Sequence, residues 1–201
     1  YNFLNKDINS SEIISKIIKI QHRRGPDGSG TWKSSCNKIT FGHNRLSIID
    51  LSEKANQPFI SNDKNLIITF NGEIYNYKQL RNELEKNNVI FRSNSDTEVI
   101  IESYKLWGLE FLNKLRGMFS FAIWDNLNKK LIIARDPFGI KPIYYTNNNG
   151  TLYFASQIKS ILSIENLKFD LSDAGVVSYY LWGNIQEPFT LYKNIKSLQK
   201  G

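Results

Sequence analysis

Asn71 and Gly72 follow the apolar run Leu66 to Phe70, and as a pair they have the parts to hold an oxyanion. Asparagine brings a side-chain amide donor. Glycine leaves the backbone N–H beside it approachable. Two neutral donors at the end of a buried strand are what a tetrahedral intermediate of acyl transfer requires. The same dipeptide is also the strongest short-range signal for a tight hairpin. The residues after Gly72 argue against the hairpin. In "EIYNYKQLRNELEKNN", Ile74, Tyr77, Leu80 and Leu84 recur at spacings of three and four, which is a helical period. The sequence therefore predicts a strand that ends at Asn71-Gly72, bends, and enters a helix near residue 75.

Other chemistry is limited by residue supply. A single cysteine, Cys36, builds neither a disulfide framework nor a thiolate cluster. His22 and His43 are the only histidines; both are read as structural or loop residues, and no metal is expected. Cys36 lies in "KSSCNK" and is expected to be an ordinary, partly buried thiol. The charge of +7 raises the question of nucleic acid. The lysines and arginines are scattered in ones and twos, such as Lys16, Lys19, Arg23 and Arg24. They read as a solvated surface, with no nucleic-acid partner expected. No apolar run approaches ~18 residues, so no membrane span is expected. The absence of disulfides fits a reducing cytoplasm.

These residues need elements to position them. Ile13, Ile14, Ile17, Ile18 and Ile20 form a helical stripe over residues 9–21, begun by a capping box from Asn9 to Glu12. "RRGPDGSG" reads as a breaker-rich loop, and Lys38 to Asp50 as extended structure with an interruption. Ser95 and Glu98 cap a helix that Gly108 stops. "GMFSFAIWD" and "KLIIARD" flank a polar turn at Asn126–Asn128 and are apolar on both faces, which predicts a hairpin buried between layers. "PIYYTNNNGTLYFAS" predicts a second hairpin. "QIKSIL" and "LSDAGVVSYYLW" read as later helices. Antiparallel strands covered by helices on both outer sides give an α+β domain with α/β/β/α layering over residues 1–201.

"FNGEIYNYKQLR" resembles the signature of class II glutamine amidotransferase domains of the asparagine synthetase type. Other segments resemble the same family in the same order: "HRRGPDGSG", "GHNRLSIIDLS", "QPF", "SDTEVII", "LRGMFSFAIWD", "ARDPFGIKPIYY", "LYFASQIKSIL" and "QEPFTLYKNIKSLQKG". They cover nearly the whole chain. The resemblance implies an N-terminal-nucleophile hydrolase fold, a four-layer sandwich of mostly antiparallel sheets. It also implies hydrolysis of L-glutamine to glutamate and ammonia. The family's nucleophile is an N-terminal cysteine whose own α-amine, with a pKa near 8, serves as base.

Carried over, Asn71 and Gly72 would hold the oxyanion. Arg45 would clamp the glutamine carboxylate, for which a guanidinium fork is suited. Glu73 and Asp96 would take its ammonium, and Leu46, Ser47, Ile48 and Ile49 would supply contacts alongside. Each has a plainer reading: a surface ion pair for Arg45, a helix N-terminus for Asp96, the start of the next helix for Glu73. The chain departs from the family in beginning "YNFLNKD". The nucleophile is expected about five residues upstream of Tyr1, with Tyr1 or Phe3 in the aromatic strand after it. A phenol of pKa near 10 would not replace it.

No phosphate loop occurs in the sequence. The resemblance implies a domain of a longer enzyme, whose C-terminal ATP-dependent synthetase domain would use ATP and magnesium to make asparagine from aspartate. The glutaminase domain itself would need no cofactor. Two alternatives stand beside this: the same chemistry feeding amidation of a sugar or other carboxylate in surface polysaccharide synthesis, and a non-catalytic structural module. Whether the protein forms a homodimer is left open.

Overall fold

A computed structural model of the chain describes residues 9–201. Tyr1 and Phe3 lie outside the described residues. The elements run α1 (Ser10–Gln21), β1 (Gly28–Lys33), β2 (Thr40–Arg45), β3 (Phe59–Ile60), β4 (Leu66–Ile74), α2 (Tyr77–Lys86), α3 (Asp96–Trp107), α4 (Phe111–Lys114), β5 (Gly117–Asp125), β6 (Lys130–Arg135), β7 (Tyr144–Asn148), β8 (Thr151–Ala155), α5 (Ile158–Leu162), α6 (Asp173–Trp182) and β9 (Lys196–Ser197).

β4 and β5 are the longest strands, and they pair antiparallel over their full length, from Leu66 opposite Asp125 to Ile74 opposite Gly117. They form the centre of a sheet ordered β3-β4-β5-β6. Successive side chains on a strand point to opposite faces. Leu66, Ile68 and Phe70 of β4, with Phe119, Phe121 and Ile123 of β5, pack on Leu80, Leu84, Val99, Ile100, Ile101 and Phe111 of the helices α2 to α4. On the other face Ile67, Ala122 and Trp124 meet Ile39, Phe41, Trp32 and Phe154. The two-faced apolarity of the β5–β6 hairpin thus marks a sheet sandwiched between layers.

The second layer holds two separate small sheets, β1-β2 and β8-β7-β9. An edge-on contact of the Phe41 and Phe154 rings, 5.9 Å between centroids, brings β2 beside β8. α1 covers β2 so closely that a Cβ on Gly42 would lie 2.9 Å from Ile14 Cγ2. α5 covers β8, and Gln21 Nε2 of α1 donates to Ser160 Oγ of α5. Helices, sheet, sheets, helices: the α/β/β/α order is complete.

The predicted caps are present. Asn9 Oδ1 accepts from Glu12 N–H, and Ser95 Oγ from Glu98 N–H. Gly108 ends α3 at φ +55°. Asn149 and Gly150 both have positive φ, as the β7–β8 turn requires. Two expectations are corrected. β4 does not end at Asn71-Gly72; it continues to Ile74, because each residue through Ile74 has a partner on β5. And Gly28 to Gly30 belong to β1 instead of a loop. Gly30 serves close approach there, since a Cβ would lie 2.1 Å from the Gln57 carbonyl oxygen.

Candidate active site

A cleft of about 390 Å³ lies between the layers. Its walls include Arg45, Leu46, Ser47, Ile48, Ile49, Asn71, Gly72, Glu73 and Asp96. Strand parity explains part of this gathering. Residues 66, 68, 70 and 74 of β4 face the helices, so Thr69, Asn71 and Glu73 face the cleft.

The same alternation directs the backbone of Gly72. The N–H of Phe70 donates to Gln57 Oε1 at 2.6 Å, and that of Ile74 to Asp96 Oδ2 at 3.1 Å. Both groups point to the edge of β4 away from β5. Gly72 N–H lies between them on that edge, past the end of β3, which pairs with β4 only at Ile67 and Ile68. Glycine is required by the opposite side. A Cβ there would lie 2.2 Å from the Met118 oxygen and 2.7 Å from Phe119 Cα. A backbone donor and the Asn71 amide are thus carried on adjacent residues of one rigid strand.

Asp96 is the first residue of α3 and only 5% exposed. Burial, and secondarily the nearby Glu73 charge, raise its carboxyl from 3.8 to about 6 against the pull of the Ile74 and Thr97 N–H groups. A desolvated anion beside a second anion at a cleft wall is a site for a cation. The direction of the shift sets the sign of the stability effect. A folded-state value above the unfolded one means that the contribution to stability is full below about 3.8 and is lost as pH rises through about 6. The charge therefore opposes folding at pH 7. Asp96→Asn keeps an oxygen for the Ile74 N–H and removes that charge. It should raise Tm at pH 7 by roughly 2–6 °C in calorimetry and weaken binding of a cationic ligand by about tenfold or more. An unchanged affinity would remove Asp96 from the site.

Arg45, at the end of β2, is engaged with the loop after it. Nη1 donates to Ser52 O at 3.0 Å and Asn56 Oδ1 at 2.8 Å, and Nη2 donates to Asp50 O. Among these bonds Nε–H and one Nη2 hydrogen are unengaged, so a guanidinium has donors left for a ligand. Leu46 and Ile48 stand exposed on this loop. Ser47 N–H is held by Asp27 Oδ2 at 2.8 Å. Asp50 Oδ2 accepts from Asn94 N–H, joining the loop to the turn before α3. Asp27, Asp50, Asn56 and Gln57 thus shape the cleft. Nothing in the types of these four residues marks them in the sequence as supports.

His43 is half-buried in the cleft wall, Nδ1 3.3 Å from Thr69 Oγ1. Burial, then the Arg45 charge, pushes it down to about 4, so it is neutral at pH 7. Cys36 corrects an expectation: it is exposed, in the β1–β2 turn, and is not among the residues lining the cleft. Its hydrogen bond with Ser34, more than any other influence, lowers its thiol.

Comparison with known proteins bears on the whole chain. The profile of a family described as "Glutamine amidotransferase domain" matches residues 1–201. Asparagine synthetase [glutamine-hydrolyzing] 1 of Bacillus subtilis (strain 168) is 41% identical over 190 residues, covering 94% of this chain and 29% of that protein. A putative glutamine-hydrolysing asparagine synthetase of Mycobacterium tuberculosis (strain ATCC 25618 / H37Rv) is 37% identical over 203 residues, 96% of this chain and 31% of that protein. The chain therefore spans about a third of the length of these relatives. Among solved structures, the glutamine phosphoribosylpyrophosphate amidotransferase of B. subtilis, complexed with ADP and GMP, superposes with a TM-score of 0.66. It is 23% identical and covers 77% of this chain and 41% of that one, a likeness of fold.

Proposed function

We propose that this chain, which belongs to the glutamine amidotransferase domain family, hydrolyses the side-chain amide of L-glutamine to glutamate and ammonia. One observation carries the reading: a cation, two carboxylates and an adjacent donor pair all line the one cleft between the layers. An α-amino acid is recognised by opposite charges at its two polar ends. Arg45 suits its carboxylate, and Glu73 with Asp96 suits its ammonium. Asn71 Nδ2 and Gly72 N–H suit the oxygen of the amide as it becomes an oxyanion.

The nucleophile belongs to the proposal as a cysteine at a mature N-terminus upstream of Tyr1. Its thiolate would attack the amide carbon, with its own α-amine accepting the thiol proton and delivering it to the leaving ammonia. The C–N bond breaks as the thioester forms, and water then releases glutamate. The second layer has room for such a segment. Among the described residues β2 pairs only with β1, and β8 only with β7. Between their open edges the cleft is lined by Ile14, Ile18, Phe41, Gly42, Phe154 and Ile161. A strand laid there would have backbone partners on both sides.

The names of the relatives support aspartate as acceptor of the ammonia. An ATP-dependent domain in the remaining length would activate it, in a cytoplasmic protein. No helix among the described residues is long and apolar enough to cross a membrane.

The test is glutaminase activity of the full-length protein with its native N-terminus. It should be lost when the N-terminal cysteine becomes alanine. Arg45→Ala should raise KM for glutamine by about 10–10²-fold. Arg45→Lys should not restore it, since an ammonium lacks the fork and cannot reach Ser52, Asp50 and Asn56 together. Wild-type KM in both variants would refute the clamp.

A further inference from the structure

Helix α6 is apolar on all sides yet stands mostly in solvent. Ala174 to Gln186 contains no charged residue, and Gly175 is the one buried residue of the helix. Val177, Tyr179, Tyr180, Leu181 and Trp182 are all more than half exposed, Tyr180 to 83% and Trp182 to 68%. Leu171 and Phe189, on the segments that flank the helix, are more than half exposed as well. A helix that is hydrophobic all round is normally a buried one, and a contiguous apolar patch of large side chains marks an interaction surface.

The helix does not owe its order to burying that surface. Ser172 Oγ accepts from Gly175 N–H at its start, and Gly183 closes its end at φ +69°. Ser178 Oγ donates to Asn184 O and accepts from Gln186 N–H. A Cβ on Gly175 would lie 2.3 Å from the Thr190 oxygen, so the helix rests backbone-to-backbone on the following segment. That segment is anchored in turn. Arg135 donates to Ser197 Oγ and Leu198 O, and pairs with Glu187 at 2.8 Å. The apolar side chains are held out on a fixed support.

We infer that this face is the docking surface for the remainder of a longer protein, a part that follows Gly201 and presents an apolar, uncharged surface to it. The inference rests on reading the chain as one domain of a longer protein, and not on glutamine as substrate. Two facts select this occupant over a second copy. The relatives are about three times as long as this chain, which covers 29% and 31% of them. And the patch lies within the last segment, residues 171–189, whose exit strand β9 is tied to the body by Arg135. A domain leaving at Gly201 therefore starts from a point fixed next to the patch.

Hydroxyl-radical footprinting of the full-length protein tests this, read at Tyr180 and Trp182. Both should be labelled about tenfold or more slower than their intrinsic reactivities predict, as at a desolvated interface core, and the protection should be independent of protein concentration. Full reactivity would overturn the inference. Protection that disappears on dilution, together with a dimer-to-monomer step in sedimentation, would assign the face to a second copy and overturn it as well. Because the readout does not involve turnover, failure of the glutaminase reading would leave this result standing.

Discussion

Asn71→Ala in the full-length enzyme is expected to lower kcat for glutamine hydrolysis by about 10²–10³-fold, the loss of roughly 2.7–4 kcal/mol that accompanies removal of one oxyanion donor. KM should change little. The amide would act on charge that develops only after binding, so its loss falls on the transition state and not on the ground state. Stability should also change little. Asn71 sits in β4 with its backbone paired to β5, its side chain is half-buried toward the cleft, and alanine fits a strand there. Steady-state kinetics together with calorimetry measure both halves of the expectation. A kcat within threefold of wild type would remove Asn71 from the chemistry.

The neighbouring position cannot give so clean an answer. Gly72→Ala would press a methyl group to 2.2 Å from the Met118 oxygen, prising β4 from β5 and disturbing fold and site at once. The contrast shows why the donor pair is built as it is. The side-chain donor is replaceable without structural cost, whereas the backbone donor can exist only where two strands pass too close for any side chain.

How far these features could be read from the sequence depends on whether their cause is local. The capping boxes at Asn9 and Ser95, the Gly108 stop and the Asn149-Gly150 turn are decided by neighbouring residues, and each is present. The helical period after Ile74 correctly announced α2 at Tyr77. It said where the helix begins but not where the strand ends. That is fixed by β5, some 45 residues downstream, which holds β4 straight through Asn71-Gly72 and leaves Glu73 on a strand and not on a helix. The exposure of Cys36 was equally invisible, since it depends on what packs around the β1–β2 turn. For the site, residue identity came from resemblance to a family, while geometry added what the letters could not carry. Arg45 holds its own loop in addition to facing the cleft, and Gln57 and Asp96 flank the Gly72 N–H by taking the donors on either side of it.

Two aspartates make the same point about charge, and the second yields the largest expected effect on stability. Asp96 and Asp136 are both nearly inaccessible to solvent, 5% and 0% exposed, yet their carboxyls shift in opposite directions. Asp96 is raised because burial outweighs the pull of the backbone N–H groups at Ile74, Thr97 and Asp96 itself, with Glu73 adding to the rise. Asp136 is lowered in spite of burial, because its oxygens accept from four backbone N–H groups. Oδ1 receives Phe138 and Ile140, and Oδ2 receives Phe119 and Lys141. It knots the 135–141 loop and fastens β5 at Phe119, the residue that faces Gly72 across the sheet.

Asp136→Asn is therefore not conservative. One carboxylate oxygen becomes an NH2 group facing two N–H donors, so two charge-assisted hydrogen bonds are replaced by donor–donor conflicts. The expected cost is about 3–5 kcal/mol, a fall in Tm of roughly 6–20 °C for a domain of this size. The pH dependence fixes the cause. With the folded-state value below the unfolded one, the stabilisation is present above the ordinary carboxylate range and is lost as pH falls through the lowered value. The gap in Tm between wild type and Asp136→Asn should thus be widest near pH 7 and close as the pH falls below the ordinary carboxylate range and through the lowered value. The relief produced by Asp96→Asn should likewise shrink on acidification, but from the opposite sign. A calorimetric series across that range, run on both variants, separates a carboxylate that holds the sheet in place from one that the fold keeps charged at a cost. If Asp136→Asn melted like wild type at pH 7, the four-donor anchor would be refuted.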